Sequence, residues 1–210
     1  MEGYTSEKEQ LESFRGWWKK HGSAAITVLM LAAAVAVGMQ WWRSHSASQA
    51  GAASMEYQQL AAGLAKNNPQ AVQDRATRII GQYGDTPYAP LAALALAKIK
   101  MEQGDSKTAR THLQWVLDHG DEPAIQHIAR LRLARILFAD GDTAAALALL
   151  NAAVPAAFAT AYEELKGDIH AATGKTTEAR AAYTKALAAL EPGSAERQQL
   201  QMKLDDLGPA

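Results

Sequence analysis

The longest apolar run in the chain is AAITVLMLAAAVAVGMQ, Ala24 to Gln40, and no charged residue occurs between Lys20 and Arg43. A helix rises about 1.5 Å per residue, so roughly 20 residues cross a hydrocarbon core about 30 Å thick. A helix over residues 22–42 meets that length and is predicted to span a membrane once. Trp17 and Trp18 precede the run, and Trp41 and Trp42 close it. Large rings with one N–H donor settle at the headgroup level, so these four are the expected membrane-interface anchors. Two other readings compete. One is a core helix buried inside a soluble domain. The other is a cleaved signal peptide, with Ala47-Ser48-Gln49-Ala50 as the small-residue site. The region before the apolar run is long and carries Glu2, Glu7, Glu9 and Glu12, whereas signal peptides begin with short basic segments.

Positive charge near the span sets its expected orientation. Lys8, Arg15, Lys19 and Lys20 lie before it; after it comes Arg43, and then no Lys or Arg until Lys66. The positive-inside tendency therefore predicts a cytoplasmic tail over 1–21 and a translocated domain over 43–210, periplasmic in a bacterium. Within the tail, Leu11, Phe14 and Trp18 fall at i, i+3 and i+7, an apolar stripe suited to a membrane surface or a partner.

Beyond Arg43 the pattern changes to helices. Alanine is abundant, valine and isoleucine are few, and no stretch alternates as a half-buried strand would. Breakers recur at helix-length intervals: Asn67-Asn68-Pro69, Gly84-Asp85-Thr86-Pro87, Gly104-Asp105, Gly120-Asp121-Glu122-Pro123, Gly141-Asp142, Pro155, Gly174-Lys175 and Pro192-Gly193. Glycine is expected to end helices in the left-handed conformation and proline to open the next one. About nine short-linked helices follow the span on this reading. Gln49–Ala65 continues from the membrane helix and pairs with Gln70–Tyr83, while Ser194–Leu207, polar on most sides, is a terminal cap.

The helices also repeat. GDSKTAR at Gly104–Arg110, GDTAAAL at Gly141–Leu147 and GKTTEAR at Gly174–Arg180 align, with turn glycines 37 and 33 residues apart. A tetratricopeptide repeat has a period of about 34. Five residues after each glycine stands an alanine: Ala109, Ala146, Ala179. Seven before it stands a small residue: Ala97, Ala134, Gly167. Small residues at both places let two antiparallel helices cross closely, and the glycine reverses the chain between them. The expected architecture is all-α, a single N-terminal transmembrane helix followed by a tetratricopeptide-repeat-like α-solenoid.

Composition narrows the chemistry. The 210 residues carry a net charge of −1 and no cysteine. The first argues against nucleic acid as a partner; the second removes disulfides, thiol nucleophiles and Cys-type zinc sites. No G-x-S-x-G, Walker A loop, G-x-G-x-x-G or H-E-x-x-H occurs. His112, His119 and His127 invite a metal search, but nothing in their spacing makes them converge, and they are read as exposed. Glu164 and Asp168, at i and i+4, are read as a solvated face. No catalytic residue, cofactor, metal or small-molecule substrate is expected. Lys98, Arg135 and Asp168 each lie six positions before a turn glycine, where a repeat commonly faces its concave groove. They are candidate contacts for an extended or helical partner segment.

Ser6-Glu7-x-Glu9-Gln10-x-Glu12, the Trp-flanked span, Tyr88-Ala89-Pro90-Leu91-Ala92-Ala93-Leu94, Leu131-Arg132-Leu133-Ala134-Arg135, Leu165-Lys166-Gly167-Asp168 and Gln201-Met202-Lys203-Leu204 occur in this order. Together they resemble the YfgM family, the ancillary subunit of the bacterial SecYEG translocon. The resemblance implies a single-span inner-membrane protein with a periplasmic tetratricopeptide-like domain. It further implies association with the translocon and with a PpiD-like periplasmic chaperone, in support of secreted-protein folding or transfer. The alternative is a membrane-anchored helical-repeat adaptor for another envelope task, such as assembly, regulation or division.

Overall fold

The computed structural model describes residues 3–191 and 193–208, with side chains placed from residue 11 onward except those of Ser13 and Ala25. Met1 and Glu2 of the tail, Pro192 of the last predicted turn and the terminal Pro209-Ala210 lie outside the described residues. Among the described residues there is no strand. The helices are α1 (Gly3–Ala65), α2 (Pro69–Gln82), α3 (Tyr88–Glu102), α4 (Ser106–His119), α5 (Pro123–Ala139), α6 (Thr143–Leu150), α7 (Ala156–Ala172), α8 (Thr176–Ala188) and α9 (Ala195–Asp205). The chain divides into two compact units, Met1–Gln49 and Ala50–Ala210.

The first unit holds the apolar run. α1 is the one helix among the described residues long and apolar enough to cross a membrane. Its side chains there are uncovered: Leu29 is 66% exposed and Val37 69%. A row of bare Val, Leu and Met is costly in water and at rest among lipid tails. Trp17, Trp18, Trp41 and Trp42 are exposed as well. Phe14, Trp17 and Trp18 lie with ring centroids 6.1 to 6.4 Å apart, and Trp41 stacks on His45 at 5.5 Å. Gly22 is buried because the Trp18 ring lies over it.

The second unit is a stack of helical hairpins. Leu60 of α1 packs with Val72, Ala76 and Ile79 of α2 and with Ala92 and Leu96 of α3. The next cluster joins α3, α4 and α5 through Ala97, Leu113, Val116 and Leu133, and a third joins α5, α6 and α7 through Ala134, Leu150, Tyr162 and Ile169. Each core is therefore completed by the following hairpin, as a solenoid requires. α3 touches α5 and α5 touches α7, so the first helices of successive hairpins lie side by side. α9 closes the stack by covering Tyr183 and Leu187 with Leu200.

Local chemistry explains the turns. Gly104, Gly141 and Gly174 take φ of +77°, +87° and +73°, the left-handed region open to glycine. Gly120 does not: its φ is −81°, and it is confined because an added Cβ would meet the Val116 carbonyl at 2.7 Å. At the first such turn Asn67 supplies the positive φ, 50°. Pro69 and Pro123 occupy the first helical turn as expected, whereas Pro87 and Pro155 stand one residue earlier, as N-caps.

The small-residue frame is fully packed. Ala109, Ala134, Ala146 and Ala179 are completely buried, and Ala97 nearly so. Gly167 has a specific cause. A Cβ there would lie 2.4 Å from the ring of Tyr183. Four residues after their alanines, the first two hairpins carry Leu113 and Leu150, and the third carries Tyr183. The larger ring on one helix is matched by the smaller residue on the other.

Candidate functional site

The side chain that follows each small residue is turned about 100° around its helix. Next to buried Ala97 and Ala134, this carries Lys98 and Arg135 out of the crossing and to the rim of one pocket. Ala97, Lys98 and Met101 of α3, Leu113 of α4, and Arg132, Arg135 and Ile136 of α5 line it, around a volume of about 320 Å³. Its floor is apolar: Leu113 is 1% exposed and Ile136 6%. Its rim is cationic. Lys98 reaches only Glu102, at 3.7 Å and in solvent, a contact worth little. Arg132 donates one long bond, 3.5 Å, to the Leu94 carbonyl. The residue is exposed, yet its guanidinium end is partly desolvated; that burial and the neighbouring Arg135 lower its pKa from the ordinary arginine value. Arg132 is the lining cation that sequence reading missed. It lies at no repeat-frame position, and its only signal was its place three residues before Arg135.

Asp168 stands elsewhere and is occupied. Its carboxylate accepts a bond from the Tyr183 hydroxyl at 2.8 Å and bonds from Lys203 Nζ at 2.8 and 3.0 Å. The same ammonium bonds Glu164 at 2.8 Å. Asp168 therefore ties α7 to α8 and α9 and does not join Lys98 and Arg135. Glu164 and Asp168 are correspondingly not a solvated face; they receive a lysine from the cap. Burial, then the bond to Asp168, pushes the Tyr183 phenol well up. For Lys203, burial opposes the charge, but the bonds to Asp168 and Glu164 outweigh it and raise the pKa.

The three histidines are separated by their roles. His119 stacks on Trp115 at 4.5 Å and its Nδ1 meets the Trp115 carbonyl at 3.0 Å. His112 is half-buried. His127 corrects the expectation of exposure: it is 7% exposed, and its Nδ1 lies 2.9 Å from the Tyr162 hydroxyl. Among the described residues no group of three or more His, Asp and Glu is placed to hold a metal ion.

Comparison with known proteins agrees with this architecture. A family profile for a tetratricopeptide repeat-like domain matches residues 15–209. A protein of Neisseria gonorrhoeae is 31% identical over 208 residues, covering 99% of this chain and 100% of that protein. One of Aggregatibacter actinomycetemcomitans is 30% identical over 97% of this chain and 99% of its own. One of Escherichia coli is 26% identical over 99% of each. All three bear the name ancillary SecYEG translocon subunit.

Proposed function

The chain belongs to the family of ancillary SecYEG translocon subunits, built on a tetratricopeptide repeat-like domain, and from that premise we propose that it is a membrane-anchored scaffold at the SecYEG translocon. Its span sits in the bacterial inner membrane, with the tail in the cytoplasm and the helical stack in the periplasm. There the stack associates with a PpiD-like chaperone and assists the folding or transfer of secreted proteins. The observation that carries this reading is the end-to-end match to proteins of that name, apolar run and repeats included. The geometry supports it. The stacked repeats carry an open pocket, a form suited to holding polypeptide segments. Lys98 and Arg135 are the residues proposed to face a partner there.

Crosslinking of native membranes followed by mass spectrometry tests the proposal. Peptides of the translocon and of a periplasmic prolyl-isomerase-type chaperone should be joined to this chain. Recovery of division or outer-membrane assembly factors in their place would assign the stack to another envelope task.

A further inference from the structure

We propose that the pocket between α3, α4 and α5 holds an acidic–aliphatic segment of a partner polypeptide, two of its side-chain carboxylates on Arg132 and Arg135 and an aliphatic side chain between them against Met101. The proposal rests on the reading of the stack as a partner-binding scaffold and names what its pocket recognises.

Charge carries the argument. Several cations elsewhere in the stack meet carboxylates: Arg75 with Glu56, Lys166 with Glu163, Lys203 with Glu164 and Asp168. Among the described residues Arg132 and Arg135 meet no carboxylate within ion-pair distance, while Arg110 of the neighbouring α4 has Asp140 at 3.6 Å. Three cations at the rim against the single, solvated carboxylate of Glu102 leave an excess of two positive charges. Arg132 and Arg135 are also three apart on one helix, where like charges repel. An anionic occupant relieves that repulsion and supplies bidentate partners to two planar guanidiniums.

The floor specifies the rest. Leu113 and Ile136 are covered, but Met101 of the same wall is 39% exposed, so hydrocarbon stands uncovered beside the charges. A small inorganic anion would leave it wet; an aliphatic side chain would cover it. A single terminal carboxylate would leave one of the two excess charges unbalanced, whereas a segment with two acidic side chains neutralises both.

The test uses the full chain in an uncharged detergent and a fluorescein-labelled short peptide centred on Glu-Ala-Leu-Ala-Glu, blocked at both ends, whose glutamates and leucine share one face of an extended segment. Fluorescence anisotropy should show binding that weakens as salt is raised, since rim charges are screened. Replacing both glutamates by glutamine should weaken binding at least about tenfold, as should Arg132→Gln or Arg135→Gln, because each removes charge-assisted bonds. Met101→Glu, which places a carboxylate inside the pocket, should block the peptide, while Lys185→Gln on α8 should leave binding unchanged. Circular dichroism establishes that each variant is folded. Equal binding of the acidic and glutamine peptides, absence of binding, or parent-like affinity of the two arginine variants would overturn the inference. So would tighter binding of a glutamine peptide with a free C-terminus, which would make a terminal carboxylate the occupant. Recovery of SecYEG with the parent chain, measured in parallel, keeps the two readings distinguishable. Its loss refutes the translocon assignment whatever the peptides do, and its retention alongside failed peptide binding refutes only the pocket.

Discussion

Gly167 and Tyr183 hold, in the third hairpin, the places of Ala97 and Leu113 in the first. Their contact makes a residue-level test. Gly167→Ala gains helix propensity of about 1 kcal/mol, but the new methyl must displace a buried ring whose hydroxyl is anchored on Asp168. Overpacking of this kind costs about 1–3 kcal/mol. The single variant should therefore unfold at lower urea, and adding Tyr183→Leu should recover much of the loss, because that pair already works in the first hairpin. A double variant no more stable than Gly167→Ala alone would remove the size-matching account. His127 gives a second test at this scale. Burial, with Arg130 nearby, holds its imidazole pKa below the ordinary 6.5. On acidification the unfolded chain takes up the proton first, so stability from this group is complete above about pH 6.5 and declines as pH falls below it. His112 is lowered too, by burial and then by Lys100. Urea midpoints at about pH 7.5 and 5.5 should differ, and His112→Gln with His127→Gln should narrow the difference.

The turns inside three successive hairpins show what decides a helix start. Asp105 and Asp142 stand at φ, ψ of −91°, 71° and −83°, 69°, and each carboxylate accepts a bond from the backbone N–H three residues on, at 3.0 Å. Lys175 adopts the same backbone, −88°, 70°, but its side chain caps nothing. Lys175→Asp should add the missing bond and stabilise the chain by about 0.5–2 kcal/mol, reduced somewhat by repulsion from Glu178. A thermal melt showing no gain would mean that α8 already ends its free N–H groups adequately in water. The same elements show what was legible beforehand. The alternation of turn glycine, alanine and small residue is a matter of spacing along the chain, so the hairpins and their crossings were readable. Arg132 shares a pocket rim with Lys98 only because α5 lies against α3, and Asp168 is claimed by Lys203 from 35 residues away. No local pattern encodes either meeting. Gly120 misled for a different reason: its confinement comes from the Val116 carbonyl four residues back, not from a left-handed φ.

At the scale of the whole molecule, the unequal distribution of Lys and Arg about the apolar run gives the orientation proposed above. A reporter active only in the periplasm, joined to the C-terminus, should be active, and a cytoplasm-only reporter at the same place should be silent. The reverse pattern would sink both the orientation and the proposed task. The stack itself is completed from its far end. Glu164, Asp168 and Tyr183 belong to the last repeat hairpin, α7 and α8, but the ammonium between the two carboxylates and the leucine over the ring come from α9. A ribosome makes α7 and α8 before α9. Until α9 docks, Glu164 and Asp168 lack the Lys203 ammonium and the Tyr183 ring lacks its Leu200 neighbour. Docking of that one short helix supplies both at once, so the far end of the stack is neutralised and covered in a single step.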